Sequence, residues 1–182
     1  MSDKENTIIE NALLKPKLVG NIKGEFFVPG FQRGYRWKKD HITMLLNDIW
    51  ENGNKNYCLQ PIVVKKIDVE KYELIDGQQR LTSLFLIIKY MKQMLPHYES
   101  HFKLSYQTRE KSEHFLNSID PELANENIDF LHIYNAYNAI EAWFNDPETG
   151  SKTSKASKFS IYFEEYVNVI WYEVYVNECI HL

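Results

Sequence analysis

The sequence predicts an α+β domain whose C-terminal half is helical, and three observations lead there. Two β-branched runs, 61–67 and 71–75, are separated by a short polar link, which is the pattern of a hairpin. On either side of that hairpin, 39–51 and 81–95 carry apolar residues at helical spacing. Later in the chain, 128–144 presents a wide apolar stripe of helical period.

Each element can be justified in order. Residues 25–28 form a short strand that stops at the turn dipeptide Pro29-Gly30. The helix over 39–51 is set by Ile42, Leu45, Leu46, Ile49 and Trp50, with Asn52-Gly53-Asn54 as its stop signal. After the hairpin, Ile75 ends a strand and Asp76-Gly77 turns the chain. Leu81, Leu84, Phe85, Ile88 and Leu95 then line one face of a helix that ends ahead of Pro96. Residues 101–107 alternate enough to be a strand, and 112–117 read as a helical segment. Asp120-Pro121-Glu122 has the form of a helix start, with Asp as cap and Pro at the first helical position. In 128–144 the stripe consists of Phe130, Ile133, Tyr134, Tyr137, Ile140, Trp143 and Phe144, so this helix is expected to pack on the core. The Ser, Lys, Thr and Gly content of 146–158 predicts a mobile surface loop. Residues 167–176, β-branched and aromatic, predict a last strand, and no internal repeat is visible.

A chain of 182 residues suits one domain and can bury roughly 70% of its unfolded surface without a disulfide or structural metal. Cys58 and Cys179 have no metal-ligand spacing and the first ten residues are polar, which leads to the expectation of a reduced, cytoplasmic protein. The longest apolar run, 84–88, is far shorter than the ~20 residues of a membrane-spanning helix. No membrane partner is therefore expected. A net charge of −4 argues against a histone-like or ribosomal role, which requires an excess of Lys and Arg over the whole chain. Locally the balance reverses: Lys23, Arg33, Arg36, Lys38 and Lys39 stand against Glu25 alone, with Phe31, Tyr35 and Trp37 among them. That is an anion-facing surface or a solvated charged face, and charge alone does not separate the two.

Two short segments carry candidate chemistry. A strand that enters a helix through Asp76-Gly77-Gln78-Gln79-Arg80 presents unpaired backbone N–H groups at the helix start, where the helix dipole favours an anion such as phosphate. Gly77 allows close backbone approach, Arg80 offers two charge-assisted bonds to phosphate oxygens, and Gln78 and Gln79 supply both donors and acceptors. Asp76 is suited to binding a divalent metal, positioning water or capping the helix. A capped turn with a surface Arg accounts for the same five residues, and the absence of a glycine-rich loop ending in Lys excludes an ordinary P-loop. The second segment, Phe31-Gln32-Arg33-Gly34-Tyr35-Arg36-Trp37, puts two guanidiniums and three rings directly before a helix, a combination that can grip phosphate and stack on a base. The alternative makes the rings core anchors and leaves the arginines solvated. The Gln-Arg pair at 32–33 recurs at 79–80.

Together, 27–37 and 72–84 resemble the paired signatures of the GmrSD-type N-terminal domain, which is related to the ParB and sulfiredoxin fold, and the resemblance continues through 104–116, 128–132 and 169–172. It implies a ParB/sulfiredoxin-like core over 1–100, a helical extension with a late strand over 101–182, and a single domain incomplete at its C-terminal end. It further implies binding, and often hydrolysis, of a nucleoside triphosphate with Mg2+ in the service of restricting foreign or modified DNA. On that resemblance Gln32, Arg33, Gly77, Gln78, Gln79 and Arg80 form the nucleotide pocket. Asp76 and Arg80 carry any hydrolysis, and Tyr35, Arg36, Trp37 and Lys38 face DNA. Gly34 and Ser83 depart from the Pro and Thr that many relatives carry. Relatives often continue into a separate HNH nuclease domain, whereas the six histidines here (His41, His97, His101, His114, His132, His181) form no nuclease or metal pattern. The expectation is an NTP-binding, DNA-sensing module without a nuclease centre, partnered by a separate nuclease subunit or domain. A non-enzymatic DNA- or partner-binding module and an inactive truncated product are the alternatives.

Overall fold

A computed structural model describes residues 13–99, 101–147 and 151–174. In order, these are β1 (Leu13–Leu18), a 3-10 turn (Val19–Asn21), β2 (Gly24–Val28), α1 (Lys39–Asn52), β3 (Tyr57–Asp68), β4 (Lys71–Asp76), α2 (Gln78–Met94), β5 (Phe102–Tyr106), α3 (Glu110–Asn117), α4 (Ile128–Phe144), α5 (Lys152–Glu165) and β6 (Val167–Val174). The fold is α+β, as the patterning predicts.

One mixed sheet runs in the order β1-β6-β3-β4-β2-β5. The β3–β4 hairpin is antiparallel, whereas β2 lies parallel to both β4 and β5, and β6 parallel to β3. The last strand thus enters the sheet between the first and the third, and the C-terminal half is built into the same layer as the N-terminal half. Phe26 on β2 and Trp171 on β6 show that this layer curls. The two strands are three places apart, roughly 14 Å in a flat sheet, yet the rings meet edge-on at 5.9 Å, with Tyr72 between them at 5.5 Å from Trp171.

Proline decides two strand details. β1 escapes the period-2 pattern because Pro16 interrupts it, and it forms nonetheless because it is an edge strand, where one face of the backbone needs no donor. Pro61, at the start of the predicted run, sits instead inside the longer β3, at a register shift between Leu59 and Ile62 that accommodates its missing N–H.

α2 lies at the centre. It is buried on nearly every side, from Gln78 and Leu81 to Met91, and touches α4, α5, β3 and β5, so its first turn is held in place by the core.

Two expectations are corrected. Residues 146–158 are not a loop throughout: α5 begins at Lys152, capped by the Ser151 side chain on the Ser154 N–H. Its buried face is Lys155, Ala156, Phe159 and Phe163. Lys155 reads as polar in sequence, but its stem is buried and its Nζ lies 3.6 Å from the Trp143 ring centroid while donating to the Trp143 carbonyl. Asp120-Pro121-Glu122 starts no helix. Asp120 spends its carboxylate on the Glu122 N–H at 2.9 Å in a run of turns, and Asn127 caps α4 by accepting from the Asp129 N–H. Of the predicted last strand, 175 and 176 lie outside the described residues, as do Cys179 and His181.

Candidate functional site

Gly77 is where β4 hands over to α2. It has φ +96°, a left-handed conformation that L side chains rarely adopt, and a Cβ there would lie 3.0 Å from Ile62 Cα and 3.1 Å from the Pro61 carbonyl. A glycine is needed for the turn and for the close approach to β3. The residue also provides no cap. Leu81 N–H bonds back to the Gly77 carbonyl, which leaves the N–H groups of Gln78, Gln79 and Arg80 without helical acceptors.

The 31–37 segment is bound against this turn by a set of specific bonds. Gln32 Nε2 donates to the carbonyl of Ile75 at 2.7 Å. Gln79 clamps the loop from both sides, accepting from the Arg36 N–H at 2.7 Å and donating to the Gly34 carbonyl at 3.1 Å. Below them Tyr35 hydroxyl and Ser83 Oγ are 2.8 Å apart, and Ser83 donates onward to the Gln79 carbonyl. The two signatures therefore meet along one edge of the sheet, joined through 42 to 48 residues of intervening chain.

The sequence-derived candidates divide by what their side chains already do. Gln32 and Gln79 are engaged in holding backbone. Arg80 donates to Gln60 Oε1 at 2.9 Å and to the Pro61 carbonyl, and pairs with Asp76 at 3.4 Å, leaving its Nε buried without an acceptor. Asp76 is open to solvent. Gln78 is 3% exposed, and neither of its amide heteroatoms makes a hydrogen bond of normal geometry, a deficit of about 1–3 kcal/mol per group. Arg33 is exposed and makes no hydrogen bond or ion pair with any described residue.

Of the residues expected to face DNA, Lys38 is exposed and Trp37 half-buried. Tyr35 is corrected: at 2% exposed its ring is part of the core, and burial pushes its phenol pKa upward. Arg36 is held by an ion pair with Asp129 and by its bond to the Tyr35 carbonyl.

Asp129, in the first turn of α4, is the residue that sequence reasoning passes over. The residue is buried, and its carboxylate takes Arg36 on one oxygen and, on the other, Arg109 Nε at 3.2 Å and Ser112 Oγ at 3.4 Å. Arg109 continues to the Gln32 carbonyl at 2.7 Å. An acid in a first helical turn reads as an ordinary partner of the helix dipole, so nothing local marks it as the clasp of the loop. Gly34 lies directly against it: a Cβ there would come well inside 3.0 Å of the carboxylate.

Chemically, the edge offers uncapped helical N–H groups, one free guanidinium and one open carboxylate, a set suited to an anion that brings its own cation. Among the described residues no group of three or more His, Cys, Asp or Glu is arranged to hold a metal. Mg2+ is commonly bound by one or two carboxylates together with substrate phosphates, and Asp76 fits that pattern. No helix among the described residues is long and apolar enough to cross a membrane. A family model described as GmrSD restriction endonuclease, N-terminal domain, matches residues 16–179. A search of curated proteins finds no match.

Proposed function

The chain belongs to the family of GmrSD restriction endonuclease N-terminal domains, which places it among restriction-system components, and from that premise we propose that it binds a nucleoside triphosphate at the Gly77 turn and senses DNA in the cytoplasm. The observation that carries this reading is the uncapped start of α2, fixed by the core and faced by a loop whose Arg33 has no hydrogen-bond or ion-pair partner among the described residues. Phosphate oxygens accept from the N–H groups of Gln78, Gln79 and Arg80, where the helix dipole adds to the attraction. Arg33 supplies the mobile guanidinium, and the Arg80 guanidinium, already fixed by β3, supplies positive potential from behind. Asp76 is the residue that would hold a Mg2+ brought by the nucleotide. When bound, the cation would neutralise charge at the phosphates, and hydrolysis would need a water held at the open Asp76 carboxylate. Lys38, Trp37 and the flanking Lys39 form the DNA-facing surface, and a separate nuclease subunit or domain acts on what this module recognises.

Thermal unfolding with each of the four NTPs and Mg2+ tests the reading. At least one raises the melting temperature, since saturation at a hundredfold over Kd adds about 2.7 kcal/mol. No shift at millimolar nucleotide, with or without Mg2+, overturns it. Arg33→Ala weakens nucleotide binding about tenfold or more, the equivalent of one charge-assisted bond, and leaves stability nearly unchanged because its exposed guanidinium makes no hydrogen bond or ion pair with the described residues. Arg80→Ala weakens binding and also destabilises the fold. An Arg33→Ala protein that binds nucleotide normally but loses DNA affinity would move Arg33 to the DNA surface.

A further inference from the structure

A groove of about 310 Å3 opens beside Arg80, between α1, β3 and the first turns of α2. That is the lower end of the size range for small-molecule sites, roughly 300–1,000 Å3. Its walls are the Trp37 ring, tilted against His41 at 5.9 Å between centroids, with Met44, Leu59 and Leu84. Met44 is an apolar side chain left 63% exposed. The polar groups are few and of both kinds. Asp48 accepts from the Tyr57 hydroxyl on one carboxylate oxygen, and Gln60 accepts from Arg80 while its own amide N–H groups point to no described acceptor. His41 Nδ1 accepts from the Lys38 N–H, so its Nε2 is the nitrogen free to donate. Burial and, after it, the bond to Asp48 push the Tyr57 pKa up to about 12, so that hydroxyl stays protonated as a donor.

A ligand matching this lining has a flat π face for Trp37, an apolar body, and an edge with both donors and acceptors. Those are the properties of a nucleobase. The groove also has the right neighbour, because Arg80 lines it and belongs to the α2 turn whose N–H groups face the phosphates. We propose that this groove holds the base of the nucleotide bound at the Gly77 turn, with Trp37 as the stacking surface and Asp48 and Gln60 facing the base edge. The assignment rests on the nucleotide-binding reading above. It gives Trp37 a nucleotide-facing role in addition to the aromatic surface presented to DNA.

The test compares the four NTPs with inorganic tripolyphosphate, all with Mg2+, on the full chain. Met44→Glu puts a carboxylate at the mouth of the groove on an exposed position, so the fold is kept. The expected result is that at least one NTP binds ten times or more tighter than tripolyphosphate in the wild type. Met44→Glu then weakens that NTP at least fivefold and leaves tripolyphosphate within twofold. A second measurement needs no substitution: Cys58, an exposed free thiol on the groove wall, is alkylated more slowly in the presence of that NTP but not of tripolyphosphate, as read on its own peptide by mass spectrometry. Equal affinity for NTP and tripolyphosphate, or equal protection of Cys58 by both, overturns the base site while leaving the phosphate site intact. Failure of every polyphosphate to bind overturns the nucleotide reading, and the base site with it.

Discussion

Asp129→Ala lowers the stability of the chain by about 3 kcal/mol, the lower end of the range for removing one partner of a buried ion pair. The lower end applies because Arg36 and Arg109 are about one-third exposed, with side-chain accessibilities of 35% and 28%, so water recovers part of the loss. The Asp129 side chain is only 8% exposed, so little solvent reaches its carboxylate. Ser112 loses an acceptor as well. Urea titration followed by circular dichroism measures the change as a shift of the midpoint at constant slope. Asp129→Asn keeps the volume and one acceptor and falls between wild type and alanine. The substitution also has a functional consequence. Asp129 lies 93 residues from Arg36 in sequence and holds the loop that faces the α2 start, so nucleotide affinity falls in Asp129→Ala even under conditions where the protein remains folded. A stability change below about 0.5 kcal/mol, the scale of ordinary surface substitutions, would show that the clasp is solvated and carries no load.

Gly34→Ala has a comparable effect for a steric reason. The backbone at Gly34 is not left-handed, so the residue is not required by its torsions. What excludes a Cβ is the Asp129 carboxylate, which would be met well inside 3.0 Å by all three of its terminal atoms. Either the loop moves away or the carboxylate rotates off Arg36, and the loss expected is about 2–3 kcal/mol, within the range for forcing an extra group into a packed site. Because both effects pass through one carboxylate, they do not add. With Asp129 already replaced by Ala the Cβ has space, and the double variant is more stable than the sum of the singles by about 1 kcal/mol or more, where independent sites agree within a few tenths. Strict additivity would mean that Gly34 is confined by something other than Asp129.

Much of the architecture was legible because it is written in local patterns. The hairpin of β3 and β4, the periods of α1, α2 and α4, and the Gly77 turn all follow from residues within a few positions of one another, and the two signature segments were sufficient to identify the family. α5 was not legible, since one of its four buried residues is Lys155, whose place in the core depends on the Trp143 ring and carbonyl of another helix. β1 was hidden by Pro16, which only an edge position tolerates.

For the site, the sequence by itself determined which residue types gather at the α2 start, and it raised the expectation of an anion there. Tertiary structure decided how each is used. Tyr35 went into the core beneath Ser83, Gln32 and Gln79 became the fasteners of the loop, Arg36 was taken by Asp129, and Arg33 was left without a partner among the described residues. The reason is physical. Propensity, periodicity and capping act over one or two turns of chain, whereas the partner that satisfies a buried amide or guanidinium is supplied by whichever segment packs against it, and here those segments lie between 42 and 93 residues away.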